Sequence, residues 1–201
     1  MKEIKFNGKT YRISFDAMPE SLKEDLKGKE LKSYLDLLQK VQVNPRSAYQ
    51  EVKELSKKHG NVPEVINLLT YAHIQNRKIG AAEKLIEETF EKHPDYLFAR
   101  VNYADQCIRQ KKLDKLPKLF PSFDLSEICP EKEVFHTSEF RGFMIMMTYY
   151  HLAIKDREEA VRFFYGAKSV EPHNPGVIHL EKKLFRKSLL KRLLNLFSNK
   201  K

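Results

Sequence analysis

A repeated spacing of small and large apolar residues is the feature that most restricts the fold of this 201-residue chain. At four places a small or apolar residue is followed four positions later by a larger one, with spacings of 34, 34 and 44 residues between the places. The pairs are Ala48/Val52, Ala82/Ile86, Leu116/Phe120 and Ala160/Phe164. Residues four apart share one face of an α-helix. Such a period is typical of stacked helical units that bury their apolar faces against one another.

Helix-ending residues keep the same register. Gly60, Pro94 and Pro172 each stand twelve residues after the first member of a pair. Gly is favoured just beyond a helix C-terminus and Pro cannot continue a helix, so these positions predict helix ends. Pro121 predicts an early end after the third pair. Residues 121–140 are then predicted to form an inserted loop with short helical content, which accounts for the spacing of 44.

This pattern resembles the tetratricopeptide repeat family, whose units are helix-turn-helix pairs of about 34 residues. The likeness covers roughly residues 29–174, with units near 29–62, 63–96, 97–140 and 141–174, although the chain has no Trp. The unit 141–174 matches best, with residues at the four second-helix positions of the family pattern: Ala160, Phe164, Ala167 and Pro172. The resemblance implies a mainly α fold, a right-handed α-α superhelix of three to four helix pairs.

The first residues predict a β-hairpin. Asn7-Gly8 lies between two runs of alternating polarity, and such a turn needs positive φ at both central positions. An isolated hairpin is marginally stable, so its apolar face is expected to pack on the helices that follow. No further strand is expected. The predicted divisions are 1–28 for the hairpin and a lead-in helix, 29–174 for the repeats, and 175–201 for a basic amphipathic capping helix.

The positive charge of the chain is unevenly distributed. The net charge is +10, but residues 182–201 contain eight Lys or Arg and no acid, which leaves +2 for the remainder. This distribution argues against a nucleic-acid-binding surface on the repeats. No run of 18 apolar residues and no secretion signal occurs, so a cytoplasmic location is the default expectation. Cys107 and Cys129 are expected to remain thiols there.

The sequence contains no recognisable catalytic or cofactor-binding motif. HExxH, GxGxxG, P-loop and GxSxG patterns do not occur, and the seven histidines show no metal-ligand spacing. His73, Cys107 and His151 occupy equivalent positions of three repeats, which favours a packing position filled by different residue types. The sequence therefore predicts a protein that is not an enzyme and has neither a metal nor a cofactor.

In the tetratricopeptide family the first helix of each unit lines a concave groove, and the resemblance implies that this chain binds a peptide or helix of a partner protein there. The implied groove residues are Asn67, Tyr71, Ile74, Phe98, Val101, Asp105, Arg109, Ile145 and Tyr149. Tyr71 and Tyr149 hold the same repeat phase, and either contact a partner or cover the core. The methionine-rich stretch 143–152 serves either adaptable binding or, the favoured interpretation, packing on both sides.

Family members that bind the C-terminal carboxylate of cytosolic chaperones use a clamp of Lys, Asn, Asn, Lys and Arg. The corresponding residues here are Asn67, Tyr71, Asn102, Gly142 and Met146, so all three cations are missing. The resemblance therefore implies no chaperone carboxylate clamp. A partly apolar helix or an extended peptide is the expected partner.

The C-terminal segment has a wide apolar face with flanking cations. Three interpretations are open: a helix that caps the array, a helix that attaches the protein to an anionic membrane surface as a peripheral adaptor, and a self-association element. The residues of this face are Phe185, Leu189, Leu193, Leu196, Phe197, Lys187, Lys191 and Arg192.

Overall fold

The computed structural model describes residues 1–16, 22 and 25–185. The chain is mainly α-helical with a small sheet at its N-terminus, which confirms the predicted fold class. The strands are β1 (Lys2–Phe6), β2 (Lys9–Ser14) and β3 (Val134–His136). The helices are α1 (Gly28–Val43), α2 (Pro45–Lys58), α3 (Pro63–Gln75), α4 (Ile79–Lys92), α5 (Leu97–Arg109), α6 (Leu116–Leu119), α7 (Leu125–Ile128), α8 (Thr137–Ala153), α9 (Arg157–Val170) and α10 (Pro175–Phe185).

The helices stack as pairs in sequence order. From α1 to α5 and again from α8 to α10, each helix contacts the next, and the first helix of each pair also contacts the first helix of the following pair. The first helices α1, α3, α5, α8 and α10 therefore form a continuous row. All eight residues of the repeated pairs are buried, with at most 4% of their surface exposed, which confirms the packing role predicted from their spacing.

The third pair departs from the others because its second helix is short. A 3-10 turn (Leu113–Lys115) leads into α6, which ends before Pro121 as predicted. Leu116 and Phe120 are nevertheless fully buried. The next helix, α8, begins at Thr137 rather than at residue 141, because the side chains of His136 and Glu139 form a capping box with the backbone at its N-terminus.

The insertion also contains a strand, so the expectation of no further strand was wrong. β3 pairs in parallel with β2, with Ile13 opposite Phe135, while β1 and β2 form the predicted antiparallel hairpin. The ring of Tyr11 lies 6.0 Å from that of Phe135 and 5.3 Å from that of Phe140. A strand of three residues carries too little alternation to be recognised, and its stability comes from these contacts.

The hairpin packs on the helices of the last repeat, which lie far along the chain, and its apolar face is covered there. The Phe6 ring lies 5.3 Å from the Phe163 ring of α9, and Lys2 Nζ donates to the Ser169 carbonyl oxygen at 3.0 Å. Gly166 of α9 makes this approach close. A Cβ atom at residue 166 would lie 3.1 Å from the Phe6 ring and 2.9 Å from Met144 Sδ.

The core of the described residues divides into two clusters. The N-terminal cluster runs from Leu22 to Ala72 and joins α1, α2 and α3. The C-terminal cluster contains the hairpin residues Ile4 and Ile13 together with apolar residues from Leu97 to Leu184. The first strand of the chain is therefore part of the same core as its last described helices.

Replacing Gly166 with Ala is expected to lower the free energy of unfolding by about 1–3 kcal/mol, because the added methyl group overpacks the contact with Phe6 and Met144. Gly80→Ala is the control: nothing lies within 4 Å of its Cβ position, and Ala in a helix is favoured by about 0.5–1 kcal/mol. Urea denaturation of the full chain measures both. A Gly166→Ala variant as stable as the wild type would contradict the hairpin packing described above.

Candidate protein-binding groove

The first helices α3, α5 and α8 lie side by side and are joined by specific contacts. Asn102 Nδ2 of α5 donates to Asn67 Oδ1 of α3 at 2.9 Å. On the other side of α5, Phe98 faces Gly142 of α8, where a Cβ atom would lie 3.9 Å from the Phe98 ring. These contacts make one continuous surface of the three helices, here called the groove surface.

The predicted groove residues are unequally exposed. Ile74 is 42% exposed, and Arg109 is also exposed. Val101 is only 6% exposed and packs in the C-terminal cluster, so its assignment to the accessible groove surface is corrected. The remaining residues are half-buried, with part of each side chain accessible: Asn67, Tyr71, Phe98, Asp105, Ile145 and Tyr149.

The central part of the groove surface carries charged side chains that hydrogen-bond to one another. Arg109 Nε donates to Asp105 Oδ2 at 3.0 Å, and Arg109 Nη1 donates to Glu83 Oε1 at 3.2 Å. Burial raises the pKa of Tyr149, and the negative charge of Asp105 adds to the shift. Lys183 Nζ lies 4.7 Å from the centre of the Tyr149 ring. The groove surface therefore has a fixed ion pair beside a tyrosine that stays protonated at neutral pH.

The three equivalent repeat positions, occupied by His73, Cys107 and His151, are packing positions. His73 Nδ1 lies 3.3 Å from the Tyr49 hydroxyl. Cys107 is 1% exposed, and neither it nor Cys129 forms a disulfide. His151 is 6% exposed, and its ring is stacked on Phe163 at 5.2 Å. Among residues 1–16, 22 and 25–185, no three His, Cys, Asp or Glu side chains are grouped so as to hold a metal ion.

The methionine-rich stretch, which sequence reasoning left open between binding and packing, lies in the core. Met144, Met146 and Met147 are at most 2% exposed, so the methionine-rich stretch of α8 packs on both sides. Of the clamp positions, Asn67 and Asn102 bind each other, and Gly142 leaves room for Phe98. The two asparagines, and Phe98 against Gly142, therefore join neighbouring helices.

The predicted C-terminal face lies almost entirely outside the described residues. Phe185 is described, is 43% exposed, and has its ring 5.5 Å from that of Phe164 and 6.4 Å from that of the exposed Tyr165. The other members of that face, Lys187, Leu189, Lys191, Arg192, Leu193, Leu196 and Phe197, are not described. None of the described helices has the length and apolar character needed to span a membrane.

Sequence reasoning missed a large cavity at the N-terminal ends of α3, α5 and α8, here called the junction cavity. Its volume is about 990 Å³, and its walls include Glu64, Tyr96, Glu131 and Glu139. These residues come from three helices and a loop that are distant in the sequence. No spacing or motif relates them, so only the three-dimensional structure brings them together.

Comparisons with known proteins identify no family. No family model and no curated protein matches the chain. A solved structure described as "MamA RS-1 ArsTM double mutant" is 14% identical and covers 86% of this chain and 93% of that chain, with a TM-score of 0.47. At this level of similarity neither fold nor function is transferred from that protein, and the interpretation below depends on the groove surface alone.

Acidification is expected to destabilise the protein. Burial lowers the pKa of His151, although Asp156, 3.3 Å away, opposes the shift, and burial together with Lys78 lowers the pKa of His73. As the pH falls below about 6.5, the unfolded chain therefore takes up these protons before the folded chain does. Stability is fully present above that pH and is lost as the pH falls toward the lower, folded-state pKa values.

Thermal unfolding followed between neutral and mildly acidic pH measures this effect. The His151→Phe variant keeps an aromatic ring against Phe163 but removes the proton-binding site, so its stability should depend less on pH than that of the wild type. Equal pH dependence of the two proteins would show that His151 does not contribute.

Proposed function

We propose that this protein is a non-enzymatic interaction scaffold that binds a segment of a partner protein along the groove surface. The observation that supports this proposal is the continuity of α3, α5 and α8. Tyr71 and Tyr149 hold the same repeat phase in α3 and α8, and Ile74 follows Tyr71 by about one helical turn. Half-buried tyrosines supply large contact area with little conformational entropy to lose, and such residues dominate the energetics of interfaces.

The order of side chains along the groove surface indicates what kind of segment fits. Tyr71, Asp105 and Tyr149 hold the same phase in three successive first helices, so an acidic position lies between two aromatic ones. Packed helices are about 8–10 Å apart, which places the two tyrosines about 20 Å apart. That distance corresponds to about six residues of extended peptide or about thirteen residues of helix.

The partner segment should therefore have apolar side chains near both ends and a polar or basic group near its middle. Arg109 already neutralises Asp105, so the middle contact contributes orientation more than affinity. The accessible parts of the two tyrosines and Ile74 are expected to contribute most of the binding free energy.

Peptides selected from a random displayed library on the full chain provide the test. Tyr71→Ala and Tyr149→Ala are each expected to weaken binding of the selected peptides at least about tenfold, equivalent to about 1.4 kcal/mol. Tyr165→Ala is the matched control, because Tyr165 is a 55% exposed tyrosine on α9, outside the groove surface. Calorimetric titration gives the affinities, and thermal unfolding establishes that each variant is folded.

Ile74→Glu complements the tyrosine variants, because Ile74 is exposed and its replacement leaves the core intact. It is expected to weaken the same peptides by placing a charge in the apolar part of the groove surface. Selected peptides that bind all three groove variants as tightly as the wild type would reject the proposed function.

A further inference from the structure

The junction cavity is large enough to hold a ligand. Its volume of about 990 Å³ is at the upper end of the range usual for ligand sites. Pro63 and Glu64 at the start of α3 form one wall. Tyr96 and Leu97 at the start of α5 form a second, and Val134 of β3 forms part of a third. The cavity thus lies where the N-terminal repeats meet the sheet and the insertion.

The charged side chains around the junction cavity are mainly acidic. Its described lining contains two cationic side chains, Arg100 and Lys132, and six carboxylates: Asp16, Asp25, Glu64, Asp95, Glu131 and Glu139. Both cations already have partners. Lys132 Nζ donates to Glu139 Oε1 at 2.5 Å, and Arg100 donates to the Pro94 carbonyl oxygen and lies 3.8 Å from Asp95.

Two of the carboxyl groups that line the cavity are buried. Glu64 and Glu139 are each 4% exposed. Burial raises the pKa of Tyr96 well above its ordinary value, and the nearby Glu64 and Glu139 add to the shift. Apolar side chains complete the walls, among them Leu97, Ile128 and Val134. A cationic ligand with apolar side chains therefore matches this cavity in both charge and surface character.

The same chain contains a segment of this chemistry. Residues 186–201, RKSLLKRLLNLFSNKK, contain six Lys or Arg, no acid, five Leu and one Phe. We propose that the junction cavity of one molecule binds residues 186–201 of a second copy, so that the protein associates head to tail. The carboxylates of the cavity attract the cations of this segment, and its Leu and Phe side chains pack against the apolar walls.

The position of Phe185 favours a second copy over the molecule's own segment. Arg157 at the start of α9 donates to the Leu184 carbonyl oxygen, so α10 ends beside the start of α9 and the end of α8. The junction cavity lies at the other end of α8, beside His136 and Glu139. A helix of 17 residues is about 25 Å long. Crossing that distance would use about eight extended residues of the molecule's own segment, so its Lys191 and Arg192 would not enter the cavity. A second copy has no such limit, and a contact between opposite ends of two molecules suits repeated addition.

Sedimentation velocity of the full chain over a range of concentrations tests the proposal. Association should increase with protein concentration at low salt and weaken at high salt, because the contact is partly electrostatic. Asp25→Lys combined with Glu131→Lys should raise the dissociation constant at least about tenfold. The control, Asp36→Lys combined with Glu91→Lys, makes the same change of charge at exposed positions outside the cavity and should leave association unchanged.

A reciprocal exchange of charge makes the test specific. Lys191→Glu combined with Arg192→Glu should weaken association to a similar extent, and joining these changes to the cavity changes should restore it. Thermal unfolding of each variant establishes that it is folded. Failure of the combined variant to restore association would overturn the proposal, as would a chain that stays monomeric at every concentration.

Flotation with vesicles of phosphatidylglycerol tests the competing occupant of the basic segment. The proposal expects association in solution without vesicles. A full chain that remains monomeric in solution but floats with these vesicles, and loses flotation with Lys191→Glu and Arg192→Glu, would assign the segment to a membrane surface and overturn the proposed contact between copies.

Discussion

An amphipathic helix pair cannot bury its apolar face alone, and this constraint determines the arrangement of the whole chain. Each second helix presents a small or apolar residue and, one turn later, a larger one to its neighbours, as Ala48 and Val52 do in α2. Stacking covers these faces one after another, but the last pair of any array has no successor. Here two further elements cover that pair: Val177 of α10 belongs to the C-terminal cluster, and Phe6 of the hairpin packs against it.

Contacts within a repeat could be predicted from the sequence because they recur at fixed separations. The burial of Ala160 and Phe164, the helix end before Pro121 and the hairpin turn at Asn7-Gly8 all follow from local patterns. The contact between Phe6 and Phe163 joins residues far apart in the chain, and nothing in either local pattern identifies its partner. The same is true of β3, whose three residues become a strand only because β2 lies beside them.

The candidate sites differ in predictability for a related reason. The groove surface repeats with the helices, so the family resemblance could assign positions to it, and most of them are accessible. Val101 was misassigned because the phase of a residue within its repeat does not show how closely the next helix packs over it. Here α8 packs against α5, and Val101 belongs to the core cluster that residues of both helices form. The junction cavity arises where helix N-termini meet an inserted loop, a geometry that no period in the sequence encodes.

The two proposed contacts use different parts of the same first helices and are therefore compatible. The groove surface follows the sides of α3, α5 and α8, whereas the junction cavity lies at their N-terminal ends. A head-to-tail assembly would fill the cavity of each molecule and leave its groove surface open. Each copy would then present one groove, and a partner with several matching segments would bind through several at once. Such binding gains affinity from the high local concentration of the second site once the first is occupied, with no new type of contact. The basic C-terminal segment would then join molecules whose single grooves each bind weakly. The affinity of the resulting array for a partner with several matching segments would depend on how many copies are joined.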